Sequence, residues 1–278
     1  MIVITTDSSS YLTRQEAKDL KIVHIPMTYT IEDDTFTESF IKDIADQQDY
    51  PQNIDAPTDQ MHTSQPILGT FLRRFRRLVD AGSEVLCLTI SSRLSGTYSN
   101  AVECAKEFGD KIKVVDTQTT AAGIYLMAKK ARELIDTGLS LTDVVNELLI
   151  YRQTINMRFS VTDLAPLRRS GRLGLVRQSI GTVLNQRPIL TLKNGAVVSC
   201  DQARGKNEQL RKLIDPIPEN AQNITVQYFN NVAAAETMVK HIKEKYPNAP
   251  VAMRRIGMVL SIHLGFDVIG AIWTEDIL

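Results

Sequence analysis

The chain has 278 residues, with 32 Lys plus Arg against 32 Asp plus Glu, 43% hydrophobic and 23% charged residues. At roughly 150 residues per domain this length predicts about two domains, one large α/β domain being the other reading, and the composition excludes a disordered or membrane chain. The formal net charge of zero excludes the strong global field of a protein that coats DNA or RNA, so no nucleic-acid partner is expected.

Ile2 to Thr6 is a short apolar run too brief for a signal peptide, and no basic leader precedes it; the chain is expected in the cytoplasm. Asp7-Ser8-Ser9-Ser10 is a polar cluster where the chain turns. Thr13 and Glu16 have capping-box spacing ahead of a short helix, and Ile22 to Ile25 reads as a second strand. Between residues 30 and 60, Glu32, Asp33, Asp34, Glu38, Asp43, Asp46, Asp49, Asp55 and Asp59 face only Lys42, the pattern of a solvated, partly irregular excursion. Leu68, Phe71, Leu72, Phe75, Leu78 and Val79 then mark one helical face, with Arg73, Arg74, Arg76 and Arg77 largely off it.

Val85 to Ile90 is a continuous apolar run, the signature of a strand buried on both faces of a parallel sheet. The small-residue loop Ser91 to Thr97 leads into a helix with Tyr98, Ala101, Val102 and Ala105. Val114 to Asp116 is a strand, Ala121 to Ile135 a helix ended by Gly138, and Ser140 to Asp143 caps a further helix expected to run to about Ile155. This alternation predicts a parallel sheet covered by helices. The boundary is placed after it, giving domains over 1–156 and 157–278. Phe159 to Val161 opens the second, in which Ile189 to Leu192 with Val197 and Val198 form a hairpin across Asn194-Gly195, which implies a mixed sheet, and the remainder alternates again. The apolar stretch Ile256 to Trp273 carries His263 and Asp267 near its middle; an Asp there costs about 2.5 to 3.5 kcal/mol on an insertion scale. It is expected to form a buried strand, a loop and a following element.

The familiar catalytic signatures are missing. Ser95 in Arg93-Leu94-Ser95-Gly96-Thr97 lacks the glycine two positions before a hydrolase nucleophile, and Gly205-Lys206 is followed by Asn207, so it is no P-loop. His24, His62, His241 and His263 show no metal-ligand spacing, and the odd, widely spaced Cys87, Cys104 and Cys200 read as small core residues in a reducing compartment. What stands out is the hydroxyl-rich loop Ser91 to Thr97 between a buried strand and a helix. Ligands of open α/β sheets bind outside the carboxyl ends of the strands, where a helix N-terminus favours an anionic head. The competing reading is that Ser95 or Thr97 merely caps its helix. Thr63-Ser64 before Pro66 carries the same ambiguity, cap or hydroxyl contact. Arg158 to Arg177 is a basic stretch opposed only by Asp163; such a cluster is ordinarily a solvated face, as His263 is ordinarily a core histidine.

Thr63-Ser64-Gln65-Pro66, Ile90-Ser91-Ser92-Arg93-Leu94-Ser95-Gly96-Thr97-Tyr98, Val115-Asp116-Thr117, Leu167-Arg168-Arg169-Ser170-Gly171-Arg172, Arg187-Pro188-Ile189-Leu190 and Arg204-Gly205-Lys206, in this order and across nearly the whole chain, resemble the DegV family. The resemblance implies two α/β domains with a lipid tunnel between them, a long-chain fatty acid as ligand and no cofactor. It also implies a non-enzymatic carrier that presents the acyl carboxylate to a separate fatty acid kinase for phospholipid synthesis. Thr63 and Ser95 would hold the carboxylate, Gly96 would let the backbone approach it, and His263 would stand near it; Arg172 and Arg204, with Lys206 beside them, would meet the kinase or its phosphates. Transient contact with a membrane surface is a further expectation. The alternatives are an acyl hydrolase using Ser95 with His263 as base, and a binding module for a phosphorylated small molecule.

Overall fold

The computed structural model describes residues 1–41, 58–173 and 186–275. These divide into two compact units, Met1–Gln153 with Gly257–Val259, and Thr154–Ile256 with Leu260 onward.

The first unit is built on β1 (Ile2–Asp7), β2 (Ile22–Ile25), β6 (Glu84–Thr89) and β7 (Ile112–Asp116). They form a parallel sheet in the order β2-β1-β6-β7. Every residue of β1 is buried, and of β6 all but Glu84, as expected for central strands covered on both faces. Helices α1 (Arg14–Asp19), α2 (Leu68–Asp80), α3 (Thr97–Ala105), α4 (Ala122–Asp136) and α5 (Leu141–Tyr151) connect or follow the strands. The capping box at α1 is complete: Thr13 Oγ1 accepts from Glu16 N, and Glu16 Oε2 accepts from Thr13 N. The apolar face of α2 buries Phe71 and Phe75 against Ile25, Val85, Cys87 and Ala101.

A small antiparallel sheet also belongs to this unit: β3 (Thr28–Ile31), β4 (Asp34–Thr37) and β5 (Met61–Ser64), in the order β4-β3-β5. It occupies ground read from the sequence as irregular and solvated. The acids do solvate β4, which is exposed throughout, but Glu38 just beyond it is buried. Lys42, Asp43, Asp46, Asp49 and Asp55 lie outside the described residues.

The second unit carries a mixed six-stranded sheet in the order β10-β9-β8-β13-β11-β12. Its strands are β8 (Ile155–Ser160), β9 (Gln186–Lys193), β10 (Ala196–Arg204), β11 (Gln222–Tyr228), β12 (Val251–Arg255) and β13 (Ile269–Thr274). Helices α6 (Ala165–Arg169), α7 (Gly205–Ile214), α8 (Val232–Lys245) and the part of α9 (Met258–Leu264) from Leu260 onward complete it. The hairpin β9–β10 turns at Asn194 and Gly195 with φ of 49° and 77°, the left-handed pair that an Asn-Gly turn supplies. Ile224, Val226, Met238, Ile242 and Trp273 anchor the core.

Two element readings are corrected. The helix expected to reach Ile155 stops at Tyr151, and β8 begins at Ile155, because Ser160 and Phe159 extend their pairing with β13 back to that residue. The segment Ile256 to Trp273 is a helix, α9, and then a strand, β13, the reverse of the strand-first order. Among the described residues no helix is long and apolar enough to cross a membrane.

Candidate functional site

The carboxyl ends of β1, β6 and β7 carry three polar loops, and hydrogen bonds tie them into one surface. Ser91 N donates to Thr119 O, and Ala121 N to Ser9 O, at 3.0 and 2.9 Å. The Asp7-to-Ser10 turn, which polarity alone would place in solvent, is wholly buried. Asp7 Oδ1 accepts from Ser9 N and Ser9 Oγ, and Asp7 Oδ2 accepts from Ile90 N at 2.7 Å.

Ser95 stands at the end of the Ser91 loop, half-buried, before α3. Its Oγ accepts from Thr97 N at 3.3 Å and lies 2.9 Å from Thr97 Oγ1. Part of the capping reading is therefore correct. The N-cap itself is Gly96, which makes no side-chain cap bond, and the start of a helix favours an anion.

Thr63 lies on β5 opposite Tyr29. It does not cap α2, whose N-cap is Ile67 without any side-chain bond. The Thr63 arm is seated against the Ser95 loop: Asn100 Nδ2 donates to Pro66 O at 3.0 Å, and the Gln65 amide covers the face of Gly96 so closely that a methyl group there would overlap it. Gly96 has an ordinary φ of −72°. Its missing side chain thus makes room for Gln65, a residue that the sequence did not single out.

Glu38 is also newly visible. It is 3% exposed; Ser8 Oγ donates to its Oε2 and Val259 N to its Oε1, each at 2.9 Å. Burial, reinforced by the Asp7 charge and only partly offset by these bonds, pushes its pKa up to about 8. Burial also raises the Asp7 carboxyl. The signal that could have found Glu38 is its place within reach of a hairpin, but an acid in an acidic run reads as surface.

The remaining sequence candidates sit in the second unit. Arg172 Nη1 donates to Ser170 O, and the guanidinium charge reaches His263, whose pKa falls to about 4 through burial first and Arg172 second. His263 is therefore neutral near pH 7, able to donate or accept a hydrogen bond but unable to bring a charge to a carboxylate. Arg204 is the N-cap of α7, with its N–H donating to Glu208 Oε2, and Arg204 and Lys206 are exposed. Leu173 bridges Val197, seven residues before Arg204 on β10, which separates the Arg172 and Arg204 backbones by roughly 20 Å at about 3.3 Å per residue. The thiols also divide: Cys87 and Cys104 are buried, whereas Cys200 is exposed, correcting its reading as a core residue. The reason is position, since Cys200 lies at the irregularity in the β9–β10 pairing, on the outer strand of the sheet. Among the described residues no group of three or more His, Cys, Asp or Glu could hold a metal ion.

A family model described as "Uncharacterised protein, DegV family" matches residues 1–276. The Protein DegV of Bacillus subtilis is 27% identical, the match covering 98% of each chain. Among solved structures, that of a DegV fatty acid binding protein from Bacillus subtilis is similar with a TM-score of 0.86 and 26% identity, covering 99% of each chain. A fatty-acid-binding family protein from Thermus thermophilus is similar with a TM-score of 0.83 and 28% identity, covering 99% of each chain.

Proposed function

The chain belongs to the DegV family, and from that premise we propose that it binds a long-chain fatty acid in a buried tunnel, its carboxylate held by Thr63 and Ser95 beside Gly96. The observation that carries this reading is the seating of the Thr63 arm on the Ser95 loop through Gln65 and Pro66, which sets two hydroxyl-bearing segments at the start of a helix. The relatives from Bacillus subtilis and Thermus thermophilus bind fatty acids.

Division of labour follows from magnitudes. Burying about fifteen methylenes at ~0.8 kcal/mol each offers on the order of 12 kcal/mol before ordering costs. The head contacts contribute about 1 to 3 kcal/mol. The tail supplies affinity and the head fixes position.

The finer reading is a carrier that presents the acyl carboxylate to a separate fatty acid kinase in the cytoplasm, with Arg172, Arg204 and Lys206 meeting that partner and with transient contact at a membrane surface. Exposure of Arg204 and Lys206 supports it. An acyl hydrolase gains no such support. Ser95 Oγ is engaged with Thr97, and an imidazole titrating near 4 is too weak a base to activate a serine at neutral pH.

Lipid extraction of the purified protein followed by mass spectrometry tests the proposal. One long-chain fatty acid per chain is expected. A stoichiometric phosphorylated small molecule without lipid would overturn it.

A further inference from the structure

We propose that Asp7 and Asp116, on the two strands flanking β6, are positioning residues that clamp the Ser91–Thr97 loop and thereby hold Ser95 in place for an anionic head group. This rests on the binding reading above and assigns roles to carboxylates that would not touch the ligand.

The geometry is a sequence of bonds along the chain leaving β6. Ile90 N donates to Asp7 Oδ2 at 2.7 Å from one side. From the other side Asp116 accepts twice from Ser92, through Ser92 N at 3.1 Å and Ser92 Oγ at 2.5 Å. Each carboxylate is itself held. Asp7 Oδ1 takes Ser9 N and Ser9 Oγ; Asp116 Oδ1 takes Gln118 N at 3.0 Å, and the Asp116 carbonyl takes Arg152 Nη1 at 2.7 Å. With Ile90 and Ser92 fixed, Ser91 becomes a pivot: its carbonyl accepts from Leu94 N and Ser95 N at 2.9 and 3.1 Å. That turn delivers Ser95 to the start of α3.

The loop consists largely of small hydroxyl residues and has little apolar surface of its own to pack. Fixing each residue's backbone costs about 1 to 2 kcal/mol of conformational entropy, so loop order must come from polar anchors. A charged acceptor is the stronger kind. The carboxylates point at backbone and hydroxyl donors of the loop rather than at the start of α3.

The test compares palmitate with hexadecanol, ligands of equal chain length that differ in the head, on wild type, Asp116→Ala, Asp116→Asn and Ser92→Ala. A positioning role predicts that Asp116→Ala weakens palmitate binding about tenfold, the scale of a lost charge-assisted hydrogen bond, while hexadecanol affinity changes less than about twofold. Asp116→Asn keeps an acceptor for Ser92 N and Gln118 N and should restore palmitate affinity. Ser92→Ala, at an exposed position, should show the same head-group selectivity in a weaker form, and it decides the matter if Asp116→Ala does not fold. Equal losses for both ligands, or no loss in either variant, would overturn the positioning role. Failure of the wild type to bind palmitate would overturn the binding reading instead.

Discussion

Ser95 and Gly96 separate two uses of one loop. Ser95→Ala removes a hydroxyl from the head site and two neutral contacts with Thr97 at the start of α3, the 3.3 Å bond from Thr97 N and the 2.9 Å bond with Thr97 Oγ1. The expected result is palmitate binding weaker by about tenfold or more, from the loss of a charge-assisted hydrogen bond, with a melting shift of only a few degrees; calorimetry on the lipid-free protein checks both. Gly96→Ala acts differently, because the new methyl group meets Gln65 rather than the ligand. It should weaken palmitate binding roughly threefold to tenfold, and Gln65→Ala combined with it should recover most of the loss, a coupling of about 1 kcal/mol. Simple addition of the two effects would show that Gly96 serves the ligand directly. At this scale the hydroxyls were legible and their supports were not. A strand–loop–helix pattern announces Ser95, but Gln65, Asp7 and Asp116 matter through contacts between segments distant in sequence, which no local spacing encodes.

At the scale of elements, periodicity found the helices and buried strands of the parallel sheet, since a continuous apolar run and an i, i+3, i+4 face are local signals. The β3–β4–β5 sheet escaped because its strands are short and half-exposed, and an acidic surround mimics a solvated loop. Glu38 is the consequence of that miss with a measurable signature. Its folded pKa of about 8 lies above the ordinary value of 4.5, so the folded state holds a proton that the unfolded chain gives up. Stability from this group is therefore intact below about pH 4.5 and falls as pH rises toward 8. Glu38→Gln removes the titration and keeps an amide oxygen to accept from Val259 N; the acceptor it takes from Ser8 Oγ is lost equally at both pH values, so the pH difference still reads the carboxyl. Chemical denaturation at pH 5 and pH 8 should show the variant gaining on wild type by a few kcal/mol across that window. Parallel curves for the two proteins would mean that Glu38 is ionised in its buried setting.

For the molecule as a whole, the basic residues pose a question of footprint. Arg172 and Arg204 were grouped by motif as one phosphate- or partner-contacting set, yet the Leu173–Val197 bridge places their backbones roughly 20 Å apart along β10. A single phosphate would reach both groups only with both side chains fully extended toward it, whereas a protein partner burying about 800 Å² on this side spans them without that constraint. The two possibilities differ in additivity. Sites more than about 10 Å apart without shared partners contribute independently, while members of one cluster couple. In a reaction reconstituted with a fatty acid kinase subunit, Arg172→Ala and Arg204→Ala should each slow acyl-phosphate formation and leave palmitate affinity unchanged. The double variant should show the product of the two single effects, as expected for one broad docking surface touched at two places. A double variant no slower than the worse single variant would instead require both guanidinium groups to converge on one phosphate. Unchanged rates in both single variants would remove these arginines from the partner surface and leave lipid binding as the role of the chain.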